Sequence, residues 1–310
     1  MQVGQVDSPT AQSSGAIFHG DFTNPIRFDL AGFDQVWLNA TDDVQEVGGG
    51  FLTGAIFPND DDNPYRALVF NGTAASGVDL TPAGSYSAFA STVDGGLQGG
   101  WTKAVQGGVL HPVIWFGTAA SIVNLLPSGA DSGSVRGIKS GTEVGRVHLT
   151  GMPDGIYHAA IWKGTAASFV DKNPNGYQDS SFDAFAGNGF VGHGIKSDVT
   201  LTSDLGRDVH ALLWVGNKVV DLNPGPDKAT WAVAGNSTYQ VGYYFDYNSL
   251  DNIQHACMWR GTAASFIDLQ QYLPSTYPYS VAKSVVGNKV YGYAFDSSID
   301  KFVAVVWTIN

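Results

Sequence analysis

His158-Ala159-Ala160-Ile161-Trp162-Lys163-Gly164-Thr165-Ala166-Ala167-Ser168-Phe169-Val170-Asp171 is the stretch that decides the fold, because the chain repeats it. Gly-Thr-Ala-Ala-Ser recurs at 72–76, 117–121, 164–168 and 261–265, each time after a strand ending in an aromatic. Those aromatics, with their counterparts elsewhere, are Phe18, Phe70, Trp115, Trp162, Trp214, Trp259 and Trp307, spaced by 45 to 52 residues. A period of about 40–50 residues built from short strands is the range of propeller blades. Gly and Pro interrupt every stretch before a 3.6-residue period can run three turns, so helical repeats are excluded.

Each unit reads as four strands. Strand a is small and apolar, as in Ser87-Ala88-Phe89-Ala90, Asp183-Ala184-Phe185-Ala186 and Trp231-Ala232-Val233-Ala234. Strand b carries a glycine, as in Glu143-Val144-Gly145, Gln240-Val241-Gly242 and Lys289-Val290-Tyr291-Gly292. Strand c is the His-Ala-x-x-Trp segment. Strand d is Ser168–Asp171 or Ser265–Leu269. Gly187-Asn188, Gly235-Asn236 and Gly287-Asn288 lie between a and b, where a tight hairpin needs positive φ. Four strands joined by hairpins make an antiparallel blade, with small residues on the innermost strand and the c aromatic filling space between blades.

Seven aromatics imply an all-β, seven-bladed β-propeller of four-stranded antiparallel blades, with six blades as the alternative. The units run approximately 1–30, 31–82, 83–127, 128–172, 173–223, 224–270 and 271–310, in one domain over 1–310. The first unit lacks strand a and the last lacks strand d. That junction is expected to close by rearrangement or to leave an unpaired edge open to self-association.

Composition narrows the function classes. A net charge of −12 disfavours nonspecific nucleic-acid binding and anionic membranes. No apolar run is long enough to span a bilayer. The single cysteine, Cys257, excludes an internal disulfide and a cysteine-based zinc site, and it reads as a small core residue. No signal peptide is visible.

The unit His-Ala-x-x-Trp, then a Gly turn, then a Val-Asp-Leu strand, resembles the HAF-type extracellular repeat of bacterial proteins. The match is clearest at His158–Trp162, His210-Ala211-Leu212-Leu213-Trp214 and His255-Ala256-Cys257-Met258-Trp259. It weakens at His111-Pro112. It fails at the ends, where Arg66 and Val303 stand in the His column. The resemblance implies a propeller-like fold and an extracellular or cell-surface location. It implies no defined activity and supplies no catalytic residues.

Residues inside the repeat read first as builders of the repeat. The His column (His111, His158, His210, His255) tempts one to a metal ring, but equivalent blade positions lie too far apart to share an ion. Each imidazole is expected to bond within its own blade. The Asp column (Asp79, Asp171, Asp221, Asp268, with Asn124 in one copy) is expected to cap turns. Gly187-Asn188-Gly189-Phe190-Val191-Gly192 matches a dinucleotide fingerprint but precedes no helix. Asp60-Asp61-Asp62-Asn63 is the densest acidic loop, and its oxygens make it the calcium candidate, although a solvated loop is the plainer reading. The excursion 197–208, with Asp198, Asp204 and Asp208, is a weaker calcium candidate. Calcium is thus the one cofactor suggested. Asn39, Asn71 and Asn236 begin N-x-[ST] sequons.

The b–c and d–a loops vary while the c–d turns do not, and variable loops on a rigid scaffold carry binding. That face holds Tyr65, Tyr86, Tyr157, Tyr177, Trp231, Tyr277 and Tyr279 beside several Asp, a composition suited to a glycan or a protein partner. The expectation is therefore a non-catalytic extracellular binding or structural propeller. The alternatives are a glycan-cleaving hydrolase or lyase at the channel mouth, and a self-assembling surface or fibre subunit.

Overall fold

The structure, a computed structural model, describes residues 2–7, 13–18, 24–55, 63–198, 208–248 and 253–309. Among these residues the strands form six sheets. The first holds β1 (Gln2–Asp7), β2 (Ser13–Phe18) and β3 (Ile26–Phe28). The second holds β4 (Phe33–Thr41), β5 (Glu46–Leu52), β6 (Arg66–Phe70) and β7 (Val78–Asp79). The third holds β8 (Ser87–Asp94), β9 (Leu97–Lys103), β10 (His111–Trp115) and β11 (Val123–Asn124). The fourth holds β12 (Ala130–Lys139), β13 (Thr142–Leu149), β14 (His158–Trp162) and β15 (Val170–Asp171). The fifth contains β16 (Tyr177–Ala186), β17 (Gly189–Lys196), β18 (Val209–Val215) and β19 (Lys218–Asp221), then β20 (Lys228–Gly235), β21 (Gln240–Asp246), β22 (Gln254–Trp259) and β23 (Ile267–Asp268). The last holds β24 (Tyr279–Val286), β25 (Lys289–Asp296) and β26 (Lys301–Thr308).

Neighbours in each meander are antiparallel. The eight-stranded sheet is two such meanders joined by one parallel bridge, Ala186 to Gly235, where both residues are small enough for the strands to touch. The chain divides into two compact units, Met1–Gly155 with Ala160–Asp171, and Ile156–Ala159 with Lys172–Asn310. Within each unit the core lies between successive sheets or, in the fifth sheet, between its two meanders. Val47, Ala67 and Val69 of the second sheet meet Ala88, Ala90 and Trp115 of the third. Ala211 and Leu213 meet Ala232, Cys257 and Trp259 in the second unit. The c-strand tryptophans therefore fill space between sheets, and Trp115, Trp162 and Trp259 are wholly buried. Burying side chains of this size gives the largest single apolar contributions to such a core.

The strand-b glycine has a steric cause. Strand a bulges at the same place in six units, between Leu38/Ala40, Ala90/Thr92, Val135/Gly137, Phe182/Ala184, Ala232/Ala234 and Ala282/Ser284. The bulge drives a carbonyl against the opposite strand. A Cβ on Gly242 would sit 1.8 Å from the Trp231 oxygen, and one on Gly145 would sit 2.0 Å from that of Ser134. Only glycine fits opposite such a bulge.

The Gly-Thr-Ala-Ala-Ser turn is a short 3₁₀ turn rather than the start of strand d, which shrinks to pairs such as Val170–Asp171. Ser168 explains this. Its Oγ accepts the Lys163 N–H at 2.7 Å and donates to the Thr165 oxygen at 2.6 Å, so the backbone closes a turn instead of a ladder. A second anchor comes from the residue two before the strand-b glycine. Glu46, Gln98, Glu143 and Gln240 each accept the N–H of the turn glycine, from Gly72, Gly117, Gly164 and Gly261 respectively, at 2.7–2.8 Å. Where the turn is replaced by the tighter Gly216-Asn217 hairpin, Phe190 stands in that column, opposite Trp214. The two glutamates of the chain are thus structural.

Candidate functional site

The His and Asp columns face each other across strands c and d. His210 Nδ1 lies 2.7 Å from Asp221, and Arg66, which stands in the His column, bonds Asp79 at 2.6 Å. His255 Nδ1 lies 3.4 Å from the Tyr244 hydroxyl. Asp221 gathers several partners. Lys196 Nζ lies 3.0 Å away, Tyr177 donates its hydroxyl at 3.2 Å, and the Asn223 N–H donates to the other oxygen at 2.9 Å. Burial pulls the Asp221 pKa up, but the bonds from His210, Asn223 and Lys196 outweigh it and hold the carboxyl well below the usual range. Burial, followed by the Asp221 charge, pushes Tyr177 up. With its oxygens engaged this way, Asp221 clamps one end of its own sheet.

The seven loop aromatics divide between the two units. Tyr65 and Tyr86 belong to the first unit; Tyr157, Tyr177, Trp231, Tyr277 and Tyr279 belong to the second. Tyr65 sits in an aromatic group with Trp37, Phe51, Phe89 and Trp101, and Phe89 stacks on Trp101 at 5.7 Å. Tyr86 and Tyr157 immediately precede β8 and β14 and bond through their backbone N–H groups, to Lys103 and Asp179 respectively. Tyr277 lies beside Asp296 and helps hold that carboxyl down, after Ser298. Asp60, Asp61 and Asp62 lie outside the described residues, as do Asp204 and Asp251. Among the described residues no group of three His, Cys, Asp or Glu side chains is placed to hold a metal ion.

One constellation in the second unit combines aromatic faces with an oriented base. The residue after the strand-b glycine is His193 in β17, Tyr243 in β21 and Tyr293 in β25, opposite Ser181, Trp231 and Val281. Trp231 and Tyr243 stack at 5.1 Å with ring planes 13° apart, and Phe245 meets both edge-on. Tyr279 stacks on Tyr293 at 6.0 Å and donates its hydroxyl to Gln254 at 2.5 Å. Burial, then the bond with Tyr293, pushes the Tyr279 pKa up. The His193 ring lies 6.5 Å from Trp231.

His193 Nδ1 lies 2.6 Å from Asp183, with side chains 14% and 9% exposed. Asp183 is the extra residue of the β16 bulge, between Phe182 and Ala184. A bulge re-aims a side chain, and here the carboxylate reaches the neighbouring strand's imidazole. The carboxylate holds the ring proton on Nδ1, which leaves Nε2 as an acceptor. Sequence reasoning passed over His193 and Asp183. The signal was present, since the position after the strand-b glycine reads Gly49, Trp101, Arg146, His193, Tyr243 and Tyr293 while its neighbours stay uniform.

No protein-family model and no curated protein matches this chain. Solved structures do. The β-propeller domain of the trilobed protease from Pyrococcus furiosus, described as having an open Velcro topology, is 11% identical with a TM-score of 0.54, over 90% of this chain and 82% of that one. A puromycin hydrolase S511A mutant complexed with PGG is 10% identical with a TM-score of 0.61, over 99% of this chain and 50% of that one. Pyrococcus horikoshii acylaminoacyl peptidase is 10% identical with a TM-score of 0.52, over 88% and 44%. The chain thus spans about half the length of the latter two proteins. At these identities the likeness establishes the fold: all-β and propeller-like.

This finding corrects the expectation of a non-catalytic propeller presenting loops to a glycan or protein partner, along with its glycan-cleaving and self-assembling alternatives. The propellers that this chain resembles are those of a protease, a peptidase and a hydrolase. Loop tyrosines beside aspartates suit many ligands, so the composition does not single out a glycan or a protein partner. No helix among the described residues is long and apolar enough to cross a membrane.

Proposed function

We propose that this chain is a seven-bladed β-propeller, one blade for each c-strand aromatic, that handles peptide as the propeller part of a peptidase. The observation that carries this reading is the His193–Asp183 pair set beside the Trp231–Tyr243 stack. The aromatic faces suit an apolar or proline-like side chain, and Nε2 of His193 suits a peptide N–H. The peptidase propellers among its structural neighbours supply the peptide class. The HAF-type resemblance adds an exported setting to this reading.

The test is a titration with an N-blocked Gly-Gly-Phe amide, followed by tryptophan fluorescence and by NMR, on the wild type, Trp231→Leu, His193→Ala and Trp101→Leu. Saturable binding that Trp231→Leu and His193→Ala weaken about tenfold or more, and Trp101→Leu leaves alone, is the expected result. Absence of binding at millimolar peptide, or binding indifferent to Trp231, overturns the reading.

A further inference from the structure

The Gly-Thr-Ala-Ala-Ser turn that follows β6 differs from its other copies in the residue before the glycine. That residue is Asn71 in the second sheet, where the other copies carry Phe116, Lys163 and Arg260. It creates the pair Asn71-Gly72. In such a pair the glycine nitrogen, with no Cβ to hinder it, can approach the side-chain amide carbon of the residue before it. Asn175-Gly176 and Asn188-Gly189 are the other Asn-Gly pairs of the chain.

Two side chains of the second sheet are set around this pair. Gly72 takes φ +74 and donates its N–H to Oε2 of the buried Glu46 at 2.8 Å. Asn71 Oδ1 accepts Nε2 of Gln45 at 3.1 Å. Gln45 is itself fixed by Gln98, whose Nε2 donates to its Oε1 at 2.8 Å. The Asn71 backbone is tied through its N–H to Ser76 Oγ at 2.7 Å, while the residue stays exposed. A carboxylate therefore meets the proton of a potential nucleophile. An amide donor meets the oxygen that would gain charge if the Asn71 carbonyl were attacked. Exposure gives ammonia a way out and water a way in. The other copies of the turn lack this combination. Gln98 and Gln240 hold the turn glycine through a neutral amide, and the turn held by Glu143 has Lys163 in place of the asparagine. Among the described residues no carboxylate accepts the N–H of Gly176 or Gly189.

We propose that Asn71 is a self-modifying site, at which Glu46 and Gln45 promote deamidation through a cyclic imide. The Gly72 nitrogen attacks Asn71 Cγ and gives its proton to Glu46. The Cγ–Nδ2 bond then breaks, and Nδ2 leaves as ammonia, taking that proton. Water opens the imide at either carbonyl, which leaves aspartate or isoaspartate at position 71 and returns Glu46 to its starting state. The net reaction consumes a water and releases an ammonia, with no oxidation or reduction. Either product puts a second carboxylate beside the turn. Isoaspartate also adds a carbon to the main chain between Phe70 and Gly72, so the change at this turn is irreversible. The site is independent of the peptide-handling reading, since it uses neither His193 nor Trp231.

The experiment uses the whole protein, made in a host without N-glycosylation because Asn71-Gly72-Thr73 is also a sequon. It is held at neutral pH for several weeks, and peptide mass spectrometry follows the amide-to-acid mass gain at Asn71, Asn175 and Asn188. Conversion at Asn71 is expected to slow about tenfold or more in Glu46→Gln, and severalfold in Gln45→Leu, while Asn175 converts at the wild-type rate. Gln98 and Gln240 show that glutamine keeps the bond to the turn glycine, so Glu46→Gln removes the base and not the contact. Thermal melts check that both variants are folded. Either of two outcomes overturns the proposal: an Asn71 that is still intact in the wild type after those weeks, or conversion at Asn71 that is as fast in Glu46→Gln as in the wild type.

Discussion

Glu143 Oε2 accepts the backbone N–H of Gly164 at 2.8 Å, from a carboxyl group that the fold buries completely. The same column holds Gln98, whose Oε1 makes that bond to Gly117 while its Nε2 donates to Gln45 and Gly96. Glu143 has no such donor when ionised, and among the described residues its Oε1 meets no partner. Burial pushes its pKa above 4.5, against the pull of the Gly164 N–H. Such a group favours folding below its unfolded value of 4.5 and loses that contribution as pH rises through the folded value. Glu143→Gln supplies the missing donor, and is expected to stabilise the protein at pH 7 by about 1–2 kcal/mol. The gap in Tm between variant and wild type should widen as pH rises from 4 to 7. A gap that is flat or reversed in thermal melts would show that Glu143 is ionised at no cost.

Gly242→Ala places a methyl 1.8 Å from the Trp231 carbonyl. The strands must separate or the bulge must go, at about 3 kcal/mol or more. Gly287, at φ +58 with nothing within 4 Å of a Cβ, is the control, and its alanine variant should cost about 1 kcal/mol. Urea denaturation of both variants measures the difference. Equal losses would mean that the bulge carbonyl yields without cost.

Trp162 is wholly buried, yet among the described residues its Nε1 meets no acceptor. Trp307 donates its Nε1 to the Leu269 oxygen at 3.1 Å. Trp162→Phe removes an unsatisfied donor, whereas Trp307→Phe breaks a bond. The second change should cost about 1 kcal/mol more than the first, although Trp307 is the more exposed ring. Equilibrium unfolding gives the comparison, and the reverse order would refute it. The same logic explains why Phe70 can stand in this column.

Asp221 holds His210, Lys196 and Tyr177 together. Its depressed pKa means that its contribution is present above the unfolded value of 3.8 and is lost as pH falls toward the folded one. Asp221→Asn should cost about 2 kcal/mol at pH 7 and flatten the acid limb of the stability curve below pH 4. Stability measured from pH 2 to 7 decides this. Parallel wild-type and variant curves would remove Asp221 from acid unfolding.

The repeat, the strands ending in Phe70, Trp115, Trp162, Trp214 and Trp259, and the all-β class are set by the sequence alone. These features have local causes: Ser168 closes its own turn, Gly164 takes positive φ, and each c aromatic recurs with its strand. The strand-b glycine was legible as a position but not as a reason, because its neighbour is the bulged Trp231 or Ser134 carbonyl across the ladder. Tertiary structure alone decided the rest. Asp183 and His193, ten positions apart, come to 2.6 Å only because β16 and β17 fold back with one residue out of register. Pairing register and sheet-to-sheet packing bring distant residues together. A repeat fixes how each unit is built, whereas the chemistry depends on which units meet and where a bulge turns a side chain.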